Sequence, residues 1–217
     1  MKNMDDYRFQ NELEYQLALL ESIRKLLLVY EEFYQEETKG DMLPRIGGSI
    51  LSHQELNRTL QKSHPEFWNH KKEALQELSR IRECGKKSMR ENGIVIAMEY
   101  VIHAFGLTDF EAFLLILAWA SQMDHETGLA VSAMCEYQGE KGPTIHFCAR
   151  LYALEEAETI EIKRKCLSRK ELLSWLFAGT EAGQRGESLL EKGLHLDDRI
   201  FVYMQDYGSL DDELKMY

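Results

Sequence analysis

The sequence predicts a mainly α fold in two parts: a long helical hairpin at the amino terminus, over residues 1–92, then a compact helical domain over 93–217 that carries a small β wing. Three observations predict it. From Tyr7 to Thr38 neither Pro nor Gly interrupts the chain, and Phe9, Leu13, Leu17, Leu20, Ile23 or Leu27, Tyr30 and Tyr34 recur at threes and fours, which is the helical period. The run Ala112 to Ala118 is apolar on nearly every side, the mark of a helix buried all round. Glu187 to Leu196, late in the chain, reads as one or two short strands around the turn at Gly193.

Each element has a local reason. The first helix, about 45 Å long for some thirty residues, outgrows a small core, so part of its apolar stripe is expected on a second long helix or on another subunit. That second helix is available. Pro65 opens a charged stretch, Glu66 to Glu91, with Phe67, Trp68, Leu75, Leu78 and Ile81 on one side, and the two predict an antiparallel hairpin. Its basic residues Lys71, Lys72, Arg80, Arg82, Lys86, Lys87 and Arg90 alternate with Glu66, Glu73, Glu77, Glu83 and Glu91, the mixing of a solvated, salt-bridged face. Gly40 to Gly48 reads as a linker and Glu91-Asn92-Gly93 as a boundary.

Beyond that boundary, Thr108 and Glu111 form a capping box that starts the central helix. Asp124 caps the next, which runs through Ala130, Val131, Ala133 and Met134 to end near Gly139. Pro143 suits the first turn of a third helix holding Ile145, Phe147, Cys148, Leu151 and Tyr152. Ser168 and Glu171 repeat the capping box before Leu172 to Leu176, and a last helix begins at Asp197 to Ile200. Short helices followed by a small hairpin describe a winged-helix domain.

The order Phe105-Gly106-Leu107-Thr108-Asp109-Phe110-Glu111, an apolar helix, Met123-Asp124, Gly142-Pro143-Thr144, Leu194 to Ile200 and Tyr207 to Leu214 resembles the winged-helix N-terminal region of certain AAA-family ATPases, which often accompany bacterial contractile injection particles. The resemblance spans Ile94 to Leu214. It implies a non-catalytic adaptor that recruits a substrate or partner protein, or assists ring assembly. ATP and magnesium would then belong to a following ATPase domain, and this chain itself would need no cofactor. A nucleotide site needs a glycine-rich loop ending in Lys-Ser or Lys-Thr. Gly85-Lys86-Lys87-Ser88 has Arg80 where the first glycine belongs and no hydroxyl directly after Lys86, and Gly179 to Gly186 has no lysine, so neither is a phosphate loop.

Composition agrees with a passive module. A formal net charge of −11 on 217 residues opposes nucleic acid, whose binding draws most of its affinity from phosphate contacts. Four cysteines, at 84, 135, 148 and 166, include no closely spaced pair, as expected of reduced thiols in a cytoplasmic protein. The start Met1-Lys2-Asn3-Met4-Asp5-Asp6 lacks a signal-peptide pattern and no apolar run reaches membrane-span length. The expected partners are therefore proteins or ring subunits, with no membrane and with self-association through the first helix as an option.

No residue set predicts catalysis. Adjacent Asp124-His125-Glu126 point in different directions on one turn and cannot converge on a metal. His146 and Cys148 lack the paired spacing of a zinc site, and Cys148 reads as a small buried hydrophobe. Ser132 and Ser174 lack a nucleophile elbow. Thr144 to Tyr152, taken as the recognition helix, offers only His146 and Arg150 toward bases, so protein binding is favoured over DNA reading. The expected contact patch is Glu136, Tyr137, His146 and Arg150. The alternative from a different class is a stand-alone winged-helix transcription regulator dimerised through its first helix.

Overall fold

A computed structural model describes residues 7–38, 65–135, 142–178 and 188–205. Among them are nine helices: α1 (Glu12–Thr38), α2 (Pro65–Asn92), α3 (Ala97–Ala104), α4 (Asp109–Met123), α5 (His125–Met134), α6 (Ile145–Tyr152), α7 (Glu156–Ser168), α8 (Lys170–Leu176) and α9 (Asp198–Gln205). Two short strands, β1 (Phe177–Ala178) and β2 (His195–Leu196), pair antiparallel with Phe177 opposite Leu196. No described helix is long and apolar enough to cross a membrane. The linker at Gly40 to Gly48, the helix end near Gly139 and the Tyr207 to Leu214 segment lie outside the described residues.

The expected hairpin forms. Asn11 accepts the Glu14 amide at 2.9 Å to start α1. The chain then runs antiparallel to α2: Arg8 meets Glu91 at 2.6 Å, the Phe9 amide donates to Ser88 Oγ at 2.8 Å, and Lys25 meets Glu77 at 2.9 Å. The predicted stripe holds at Phe9, Ile23, Leu27 and Tyr30, which are buried, and fails at Leu13 and Leu17. Tyr15, Leu19, Ile23, Leu26, Leu27 and Tyr30 are buried, whereas Leu13 and Leu17 are 63% and 57% exposed. Both sets keep helical spacing, and only contact with the rest of the molecule selects one of them. The solvated face expected of α2 also fails at two places, because Lys71 and Arg82 are buried. Both have found acceptors inside: a helix end for Lys71 and a carboxylate for Arg82.

At the centre lies α4, buried at every position from Phe110 to Ala120. Its capping box is complete, with the Glu111 amide on Thr108 Oγ1 at 3.3 Å and the Thr108 amide on Glu111 Oε2 at 2.8 Å. Thr108→Ala should therefore lower the unfolding free energy by about 1 kcal/mol, read as a lower urea midpoint at unchanged slope. Asp124 caps α5 as expected, accepting the Thr127 amide at 2.8 Å. Pro143, expected in the first turn of α6, instead precedes it: Thr144 is the cap, accepting the Phe147 amide at 3.0 Å.

Two local expectations are corrected. Ser168 caps nothing: α7 continues through it, and its hydroxyl turns back to the Lys165 carbonyl at 2.7 Å. Arg169 takes the junction, and α8 starts without a side-chain cap. The strand Phe177–Ala178, which pairs with β2, lies upstream of the Glu187 to Leu196 segment in which the hairpin was sought.

Candidate functional site

Two helices joined by a tight turn create the site. Helix α6 stops at Tyr152, Ala153 turns extended, and after Ala153–Glu155 the chain re-enters helix as α7. Glu158 fastens the entry by accepting the Leu154 amide at 2.8 Å. From behind, the ammonium of Lys71 on α2 donates to the Arg150 carbonyl at 2.7 Å and to the Ala153 carbonyl, filling acceptors left open at the end of α6. The ring of Trp68 stands 4.8 Å from it. Burial pushes Lys71 down to about 7; Arg150 adds to this and Glu158 opposes it.

A three-residue turn of this kind joins α6 and α7 as a helix-turn-helix pair in which α7 takes the second position, the one a recognition helix holds in DNA-binding folds of this kind. The sequence had placed that role on Thr144 to Tyr152. The strand arrangement explains the correction. Thr144 bridges Gly193 in an antiparallel pair, the Leu194 amide donates to the Pro143 carbonyl at 2.8 Å, and the His146 amide to the Leu190 carbonyl at 2.9 Å. The chain before α6 is thus stitched to the second wing strand, and the wing itself follows α7 and α8. Gly142 is needed at this crossing, since a Cβ there would lie 1.9 Å from the Leu194 carbonyl oxygen.

Helix α7 has two unlike faces and two unlike ends. Ile162 and Cys166 are buried, while Ile160 and Leu167 are 59% and 46% exposed; on α8, Trp175 is 63% exposed. Its first turns hold Glu156, Glu158 and Glu161, after Glu155. Its end and the start of α8 hold Lys163, Arg164, Lys165, Arg169 and Lys170 with no acid among them. Some of these have partners: Lys165 meets Glu161 at 2.6 Å, Lys163 lies 3.2 Å from His146 Nδ1, and Arg169 reaches Glu111 at 2.6 Å. Arg169 thereby ties the end of α7 to the capping box of α4.

Of the expected contact residues, His146 and Arg150 lie one turn apart on α6, both exposed. Arg150 stands 5.9 Å from the Tyr30 ring. Burial lowers the His146 pKa, with the Lys163 and Arg150 charges acting in the same direction and Glu191 against them. His146, Arg150, Lys163 and Tyr30 are therefore neighbours where α1, α6 and α7 meet. Glu136 and Tyr137 lie outside the described residues. The exposed α7–α8 run was missed by sequence reasoning, which used Ser168 and Glu171 as a cap. Its signal is the local charge, five basic residues between 163 and 170 in a chain of net −11.

Three cysteines nearby are held as thiols by burial. Cys148 is wholly buried, and its pKa is raised first by burial and then by the neighbouring Cys135 and Cys166. Burial also pushes Cys135 up to about 11 and Cys166 up to about 12. Such thiols stay protonated and unreactive. Among the described residues no group of three or more His, Cys, Asp or Glu is placed to hold a metal ion. A cleft of about 270 Å³ opens between α2, the start of α4 and the turn, walled by Leu75, Phe113, Tyr152 and Leu154 and edged by Asp109 and Glu158.

A helix-turn-helix whose second helix leads toward a two-stranded wing defines the winged-helix class. The chain belongs to the family described as winged helix domain, variant, whose model matches residues 3–217. No curated protein and no solved structure matches the chain.

Proposed function

We propose that this winged helix is a non-catalytic protein-binding module, the N-terminal adaptor of an AAA-family ATPase of the kind that accompanies bacterial contractile injection particles. On this reading its hairpin (1–92) and winged-helix domain (93–217) recruit a substrate or partner in the cytoplasm, or assist ring assembly. ATP and magnesium belong to a following domain. The observation that carries the protein-binding role is the character of α7. A DNA-reading helix enters the major groove with its N-terminal residues toward the bases, whereas α7 opens on Glu156, Glu158 and Glu161 and exposes Ile160 and Leu167. Carboxylates at that end repel phosphate, and exposed apolar side chains suit a protein surface. The ATPase connection is supported by the sequence resemblance from Ile94 to Leu214.

The test is cross-linking of the chain in its source cells, followed by intact-mass and peptide analysis of what is joined to it. A polypeptide carrying a glycine-rich Lys-Ser or Lys-Thr loop, covalently continuous with this chain or stoichiometric with it, is the expected result. Recovery of the 25.3 kDa chain without any such protein would sink the adaptor assignment. One observation favours a DNA-binding transcription regulator instead, namely the basic run from Lys163 to Lys170. A mobility shift with duplex DNA that weakens steeply with added salt would establish that reading; no shift at low salt is the expected outcome.

A further inference from the structure

We propose that the exposed face of α7 and α8 docks an acidic amphipathic helix of the partner protein, with Ile160, Leu167 and Trp175 as apolar anchors and Arg164 and Lys170 facing its carboxylates. This inference rests on the protein-binding reading above and names the partner's chemistry. Ile160, Arg164 and Leu167 follow at i, i+4 and i+7, so they form one stripe along α7. Trp175 lies on the next helix, joined to α7 by the single residue Arg169. The fold does not use these side chains, because Ile162, Cys166, Leu173 and Leu176 make the buried contacts of the same two helices. Trp and Arg are the residue types that most often dominate interface energy when a partner seals them from water.

Charge selects the occupant. The chain as a whole carries −11, yet residues 163–170 hold five basic side chains and no acid; Lys165 is paired with Glu161, Arg169 with Glu111, and Lys163 lies against His146, so the charge offered outward is that of exposed Arg164 and Lys170. A second copy of so acidic a chain would in general be repelled, and an anionic segment is attracted specifically here. Nucleic acid would share the attraction to the basic end but meets the exposed carboxylates of Glu155 and Glu156 at the start of the same helix, which oppose a phosphate backbone. A short helix can place apolar residues over Ile160 and Leu167 and confine its carboxylates to the Arg164–Lys170 end.

Two synthetic amphipathic helices with identical leucine faces, one with glutamates and the other with lysines on the polar face, provide the test. Each is titrated into the isotope-labelled full chain while backbone amide shifts are followed. The expected result is binding of the glutamate helix with shifts concentrated between Ile160 and Trp175, and affinity for the lysine helix weaker by about tenfold or more. Arg164→Glu combined with Lys170→Glu should weaken the glutamate helix by a similar factor without changing the melting temperature. Trp175→Ala should weaken both helices. Equal binding of both, shifts on another face, no binding, or displacement of the glutamate helix by duplex DNA at the same amides would overturn the proposal. If cross-linking yields an ATPase partner while the glutamate helix does not bind, the adaptor reading stands and this surface falls; if neither appears, both fall.

Discussion

Glu99→Ala is expected to lower the unfolding free energy by about 3–5 kcal/mol, a large share of the 5–15 kcal/mol typical of a whole domain. Glu99 on α3 is buried, and three groups converge on it: Arg82 Nε at 2.9 Å, Arg82 Nη2 at 3.2 Å, and the Tyr15 hydroxyl at 2.6 Å. The residue joins α1, α2 and α3 through one carboxylate. Removing it leaves a buried guanidinium whose next carboxylate, that of Asp109, is 3.7 Å away and largely solvent-facing. It also leaves the hydroxyl of fully buried Tyr15 without its acceptor. Urea unfolding followed by circular dichroism measures the loss. The triple variant Tyr15→Phe, Arg82→Met, Glu99→Leu should recover most of it, since an apolar cluster leaves neither a desolvated charge nor an unpartnered hydroxyl. A single-variant loss below 1 kcal/mol would show that the network is not carrying the α1–α2–α3 junction.

Lys71→Met should cost about 2 kcal/mol near pH 8, because the carbonyls of Arg150 and Ala153 lose their shared donor. Its pH dependence has a definite sign. Folded Lys71 titrates at about 7 against an ordinary 10.5, so between these values the unfolded chain binds more protons than the folded one. Wild-type stability therefore gains from this residue as pH rises through that window, by up to about 1.4 kcal/mol per unit, and gains nothing below it. The methionine variant lacks the group. The stability difference between the two proteins should accordingly widen from pH 7 to pH 9. A difference constant across that range would mean that Lys71 keeps its proton in the folded state.

What could be read from the sequence was what local chemistry specifies. Thr108, Glu111 and Asp124 announce their helices because a cap involves residues three apart. The all-round burial of α4 follows from an apolar run that no surface helix would carry. The face of α1 was readable at Ile23, Leu27 and Tyr30 but not in its first turns, because Leu13 and Leu17 keep the same period as Tyr15, Leu19 and Ile23. The burial of Lys71 and Arg82 was hidden for a related reason: it depends on the end of α6 and on Glu99, which reach them only in the folded chain. A strand of two residues such as Phe177–Ala178 has no alternation to detect. At the candidate site, polar residues on α6 drew attention to His146 and Arg150. Placing α7 second in the helix-turn-helix pair required the Thr144–Gly193 bridge, which joins residues far apart in the chain.

The side chain of Gln16 on α1 donates to the backbone carbonyl of Met204 at 2.9 Å, across 188 positions of sequence. On a ribosome moving at roughly 5–20 residues per second, that partner emerges some 10–40 s after α1 has left the exit tunnel. Throughout that interval the nascent chain holds a long helix with Leu13 and Leu17 on one side and Tyr15, Leu19 and Ile23 on another, and the last of its covers is still unmade. Synthesis order thus leaves the buried face of α1 open until α2 has followed it, and its tie to α9 is made last.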